Sequence, residues 1–143
     1  MKQLWLAFWA CLLCGVVSAQ AGEITVWHAY RGAEEAALKA AAEAYEAETG
    51  TVVQAIPLPF EAFDSKVETA IPRGNGPDVL IAGHPPLAKW VRLGLVEQTA
   101  FDGQGHHPKA KEALGIEGKS YGYPLASKTL VLMYDPERIA SPP

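Results

Sequence analysis

Two short stretches gather side chains able to grip a small polar molecule. The first is ITVWHAY, residues 24–30, which runs on into Arg31. The second is AGHPP, residues 82–86, which carries His84. An aromatic face stacks on apolar ring surfaces, and a guanidinium offers a fork of donors. His28, Tyr30, Arg31 and His84 together would suit a polar, ring-shaped ligand such as a sugar. Each also has a plainer reading. Tyr30 and Arg31 would otherwise form a solvated loop, and His28 and His84 would be hydrogen-bonded loop histidines. Trp27 is set apart by its parity and position, which make it a core residue.

Chemistry of other kinds finds little support. There is no Gly-x-Ser-x-Gly turn to present a nucleophile. His106 and His107 are adjacent, with no partner at metal-ligand spacing. Asp64 and Glu68 share a helix face and read as solvated charges. The glycines of RGNGPD precede a strand and no Lys-Ser/Thr pair follows, so they are not a phosphate loop. No enzyme, metal or cofactor is expected.

The elements that must position these residues follow from hydrophobic periodicity. Residues 23–27 read as a strand. Residues 31–50 read as a helix with Leu38, Ala41, Ala42 and Tyr45 on the buried stripe and Gly50 as its stop. TVVQAIP, 51–57, is a second strand. Residues 60–71 form a second helix with Phe60, Phe63, Val67 and Ile71 inward. Residues 78–82 make a third strand. Pro85 and Pro86 open a third helix that turns Leu87, Trp90 and Val91 inward and stops at Gly94. The polar run 97–115 holds at most a short helix. IEGKSYGYPL, 116–125, is a hairpin turned at Glu117-Gly118, KTLVLMY is a further strand, and DPERIA begins a helix. Alternating strand and helix imply an α/β fold, with a mostly parallel sheet and helices on both faces. In such sheets ligands bind beyond the carboxyl ends of the strands. Both histidine stretches fall there and would face one crevice.

The N-terminus is of another kind. Lys2 precedes an uncharged apolar run, Leu4 to Val17, and Ala19-Gln20-Ala21 follows as an A-x-A cleavage site. Residues 1–21 are therefore read as a secretory signal peptide. The run is short for a membrane anchor, which needs roughly 20 apolar residues. Cys11 and Cys14 lie within it and would leave with it, so the mature chain would hold no cysteine. Cleavage removes one positive charge and takes the net charge from −4 to −5. An acidic surface argues against nucleic acid and anionic membranes as partners.

The series ITVWHAYRGAEEAALKAAAEAYEAETG, GNGPDVLIAGH, WVRLGLVE and YGYPLASKTLVLMYDPERI resembles the extracellular solute-binding proteins of ABC importers. Within them it is most similar to the sugar-binding branch that includes the maltose-binding protein. The resemblance implies a periplasmic-binding-protein-like fold of two α/β lobes joined by crossing strands. A sugar would be held in the cleft and delivered to membrane permease subunits. It implies a protein that is periplasmic or extracellular, and a monomer in its full-length form. By position it carries over His28, Tyr30, Arg31, His84, Tyr123 and Lys128 as ligand-binding residues.

Three departures separate this chain from the maltodextrin pattern. Ala82 stands where that branch has an aromatic residue. Pro85 and Pro86 stand where it has an acid and an arginine, and Lys128 replaces an acid. A sugar remains the implied class. A complete member is more than twice this length, so the resemblance implies an N-terminal portion. Residues 22–126 would be a partial N-terminal lobe, and residues 127–143 the crossing strand and the truncated start of the second lobe. A free-standing secreted carbohydrate-binding module is the alternative. A secreted hydrolase is disfavoured because no nucleophile constellation is present.

Overall fold

A computed structural model of the chain describes residues 22–128, 133–135 and 137–139. The expected signal peptide lies outside these residues, as does most of the expected strand at 128–134. The described chain divides into two compact units. The first unit includes the segment up to Pro59 together with Pro77–Ile81, and the second holds Phe60–Gly76 and the chain from Ala82 onward.

The first unit is a three-stranded parallel sheet with one long helix. Its strands are β1 (Glu23–His28), β2 (Val52–Pro57) and β3 (Val79–Ile81), in the order β2-β1-β3. Parallel neighbours need a long crossover between them. Helix α1 (Ala33–Thr49) supplies the one from β1 to β2. The register pairs Ile24 with Val53, Val26 with Ala55 and His28 with Pro57. Because side chains alternate, these six share one face, while Trp27 and Ile56 belong to the other. β1 is one residue longer than the sequence suggests. His28 is its last member and is buried, although an imidazole at the end of an apolar alternation reads as a loop residue.

Helix α1 departs from its expected stripe. Leu38 and Ala42 are half-buried, but Ala41 and Tyr45 are exposed, and no residue of the helix is fully buried. Its alanine-rich sequence favours the helix intrinsically, so it forms with little burial. Gly32 makes its entry: a φ of 57° turns the chain out of the strand there, which a β-carbon would resist. At the other end the Gly50 N–H closes on the Glu46 carbonyl at 2.8 Å.

The second unit holds α2 (Phe60–Ala70), a 3₁₀ turn at Ile71–Arg73, α3 (Leu87–Arg92), α4 (Pro108–Ala113) and a hairpin of β4 (Gly115–Ile116) and β5 (Lys119–Ser120). Phe63, Val67 and Ala70 are the buried stripe of α2. Phe60, expected on it, is 72% exposed at the first position of the helix. Ile71, also expected inward, is half-buried in the 3₁₀ turn. Leu87 and Trp90 of α3 are buried as expected, and Val91 is half-buried. A salt bridge from Lys89 to Glu68 ties α3 to α2. Gly76 is required by close packing, because a β-carbon there would lie 2.6 Å from the Ile71 side chain. The hairpin turns at Glu117-Gly118 as the sequence suggests, with Gly115 opposite Ser120 and Ile116 opposite Lys119. Near the C-terminus the expected helix is represented among described residues by a turn in which the Asp135 carboxylate accepts from the Glu137 N–H at 2.9 Å.

Candidate functional site

Beyond the carboxyl ends of β1 and β2, the first unit forms a shallow concavity of about 260 Å³. Tyr30, Arg31, Glu35, Pro57, Leu58 and Pro59 line it. Local sequence explains the arrangement. Pro57 ends β2, yet the pairing with β1 continues for one more bond, from the Leu58 N–H to the His28 carbonyl at 2.8 Å. That bond holds the Pro57–Pro59 segment beside the loop carrying Tyr30 and Arg31. Gly32 then reverses the chain, and the first turn of α1 brings Glu35 round to the same side. Glu34 and Glu35 both suit the positive end of the helix dipole, but only Glu35 faces this concavity.

Apolar and charged groups are mixed in the wall. Tyr30 and Leu58 are half-buried and Arg31 is exposed. Neither Arg31 nor Glu35 makes an ion pair or side-chain hydrogen bond with another described residue. Both are therefore available to hydrogen-bond whatever occupies the concavity.

His28 is placed differently from its neighbours. Its ring packs 6.1 Å from that of Tyr30, centroid to centroid, at an angle of 43°. It is 1% exposed, and its Nδ1 is buried with no hydrogen-bond partner. The expectation of a hydrogen-bonded loop histidine is thus corrected on both counts. His28 instead lines a second cavity of about 230 Å³, beneath α1, with Glu35, Lys39, Val53 and Ala55 among its other walls. An unpaired buried nitrogen of this kind costs about 1–3 kcal/mol.

The other named residues belong to the second unit. His84 is exposed, and its carbonyl accepts from the Leu87 N–H at 3.0 Å at the entry to α3. Ala82 and Pro85 are exposed, and Pro86 is half-buried. Tyr123 is 59% exposed and rests on Phe101, with ring centroids 5.0 Å apart. Phe101 in turn meets His106 edge-on at 5.1 Å. Lys128 is exposed. The first unit therefore brings Tyr30 and Arg31 into one concavity, with His28 behind Tyr30, while His84, Tyr123 and Lys128 are carried by the second.

Glu35 is the wall residue that sequence reading missed. Its position in the first helical turn explains it as a dipole partner and conceals its second role. The available signal was its spacing, four residues after Arg31. His107, in the sequence only half of a histidine pair, caps α4, accepting from the Lys109 N–H at 3.2 Å. Among the described residues no cluster of three or more His, Cys, Asp or Glu is placed to hold a metal ion. No helix among them is long and apolar enough to cross a membrane.

Comparison with known proteins gives these features a context. The maltotriose-binding protein of Pyrococcus abyssi is 28% identical over 130 residues, covering 85% of this chain and 28% of that protein. Among solved structures, the maltotriose-binding protein of Thermus thermophilus, bound to maltotriose, superposes with a TM-score of 0.62 at 28% identity, covering 69% of this chain and 28% of that one. The GacH receptor of Streptomyces glaucescens, solved unliganded and with acarbose, gives a TM-score of 0.65 at 30% identity, over 71% of this chain and 28% of the receptor. The chain thus spans about 28% of the length of these relatives. Its parallel sheet and alternating helices form part of a periplasmic-binding-protein-like fold. Residues 40–143 match the family described as bacterial extracellular solute-binding protein, and the chain belongs to that family.

Proposed function

We infer that this chain is the N-terminal part of the substrate-binding component of a carbohydrate ABC transporter. It captures a sugar or oligosaccharide outside the cytoplasmic membrane and delivers it to permease subunits. The observation that carries this reading is the wall at the ends of β1 and β2. There an aromatic ring, a guanidinium and a carboxylate share one concavity in a member of the solute-binding family. Relatives named for maltotriose binding support an α-glucan oligosaccharide as the ligand class. Ala82, Pro85, Pro86 and Lys128, all departures from the maltodextrin pattern, favour a sugar other than a long maltodextrin.

The ligand-contacting set under this reading is Tyr30, Arg31, His84, Tyr123 and Lys128, and His28, expected among them, is buried and backs Tyr30 instead. Residues 1–21 direct export as a signal peptide, residues 22–126 form part of the N-terminal lobe, and residues 127–143 are the crossing strand and the start of a second lobe. The full-length protein is a monomer.

A thermal-shift panel on the protein expressed from its complete reading frame tests the reading. Maltose, maltotriose, trehalose, acarbose, an amino acid mixture and a dipeptide mixture would each be added in excess. Ligand that binds only the native state raises the melting temperature by mass action. A rise with at least one sugar and none with the amino acids or peptides is expected. A rise confined to a non-sugar solute would overturn the carbohydrate assignment.

A further inference from the structure

The concavity beyond β1 and β2 carries two opposite charges that do not meet. Arg31 and Glu35 both line it and stand four residues apart, a spacing that commonly joins such a pair on a helix. Here Arg31 precedes the helix, beyond the turn at Gly32, and neither group is paired with any described residue. Glu35 is moreover half-buried, whereas Glu34 and Ala36 on either side are exposed. Its carboxylate has no protein partner and is available to a ligand in the concavity.

We propose that Glu35 is a ligand-contacting and specificity-determining residue of this wall. With Arg31 it grips neighbouring hydroxyls of one neutral sugar ring. The proposal rests on the sugar-binding reading above. Its logic lies in the hydrogen-bond inventory. A guanidinium can only donate, an ionised carboxylate can only accept, and a hydroxyl does both. Two adjacent hydroxyls therefore satisfy the pair together, one oxygen accepting from Arg31 and the next O–H donating to Glu35. Such bonds to charged groups are the strong ones. Tyr30 and Leu58 complete the wall with apolar surface for the carbon face of the ring.

The same two charges give a charged ring no net advantage. An ammonium group attracted by Glu35 would be repelled by Arg31, and a carboxylate attracted by Arg31 would be repelled by Glu35. Specificity commonly uses such repulsive elements beside attractive ones. Glu35 also lines the cavity beneath α1 that His28 lines.

Calorimetric titration of the complete reading frame with maltotriose tests this, using wild type, Glu35→Gln, Arg31→Gln and the double variant. Each single substitution is expected to weaken binding about tenfold or more. The double variant should lose less than the product of the two, because groups holding one ring are coupled. A second arm displaces maltotriose with glucose or glucuronate. Glucuronate should compete poorly against wild type and gain at least fivefold relative to glucose in Glu35→Gln. Thermal melts of each variant confirm the fold. If wild type binds but Glu35→Gln stays within twofold of it, or the competition ratio is unchanged, the role of Glu35 is overturned and the sugar-binding reading stands. If wild type binds no sugar of the thermal-shift panel, the sugar reading itself falls, and the role of Glu35 falls with it.

Discussion

Thr25 and Asp78 hold each other by two hydrogen bonds. The Thr25 N–H donates to the Asp78 carboxylate at 2.8 Å, and the Asp78 N–H donates to the Thr25 carbonyl at 2.9 Å. The pair lies just ahead of the point where β3 joins β1, where Val26 pairs with Val79. It sets the register in which Ile81, the last residue of β3, lies beside His28, the last of β1. Asp78 thereby fixes how the ends of β1 and β3 line up.

Replacing Asp78 with alanine removes the charge-assisted bond and leaves the backbone one. Exposure to solvent keeps the loss modest, about 1 kcal/mol. Asp78→Asn keeps an acceptor and should lose less. Urea midpoints of the complete reading frame would show the order wild type, Asp78→Asn, Asp78→Ala. Equal midpoints would mean the register is set by β-pairing alone.

The hairpin offers a stabilising change. Glu117 has a φ of 52° and Gly118 one of 78°, the two left-handed positions of a type I′ turn. Glutamate is a poor residue for that conformation and asparagine a good one. Glu117→Asn is expected to gain about 0.5–1 kcal/mol, seen as a higher urea midpoint. A loss would show that the glutamate side chain contributes something the turn geometry does not explain.

An ion pair on α4 should be visible only through its pH dependence. The hydrogen bond from Lys109, and then its charge, holds the Glu112 carboxyl below its ordinary range, and Glu112 raises Lys109 in the same way. Both groups are fully exposed. The lowered carboxyl contributes above its unfolded value and loses that contribution as pH falls through its folded one. The raised amine loses its share as pH rises through its folded value. Any advantage of wild type over Glu112→Gln at neutral pH and low salt should therefore vanish in acid and in 1 M salt. A difference that persisted in acid would contradict the assignment.

Residues 22–143 expressed by themselves are expected to bind sugar weakly or not at all. The concavity of the first unit is about 260 Å³, below the roughly 300–1,000 Å³ common for ligand sites, and it is shallow. It supplies one wall, and the chain spans about 28% of the length of its relatives. Tight, saturable binding of maltotriose by this polypeptide in calorimetry would show that one wall suffices, and would favour a free-standing binding module.

Much of this architecture was legible in the sequence. Strict alternation through Ile24 and Val26 marks β1, and Gly50 marks the end of α1, whereas Gly32, read as part of the helix, lies before it. Trp27 was placed in the core by parity and is 6% exposed. The errors have physical causes. His28 was read as lying past the strand because imidazoles seldom sit unpaired in a core, yet it is buried with Nδ1 free. Tyr45 and Phe60 fit the helical period, but period alone cannot say how far a packed neighbour reaches. At the site, Tyr30 and Arg31 were legible from residue type and position after a strand. Glu35 was not, because its face becomes apparent only once Gly32 has turned the chain. The strand order β2-β1-β3 likewise depends on the path of the chain and not on any single residue.

The central claim is that the wall formed by Tyr30 and Arg31 holds a sugar. Calorimetry on the complete reading frame, wild type against the Tyr30→Ala/Arg31→Ala double variant, tests it most directly with maltotriose as ligand. Each lost stacking or charge-assisted contact should cost about 1–3 kcal/mol, so the double variant should bind at least about thirtyfold more weakly while its thermal melt stays cooperative. Wild-type affinity retained by a folded double variant would contradict the account and return both residues to a solvated loop.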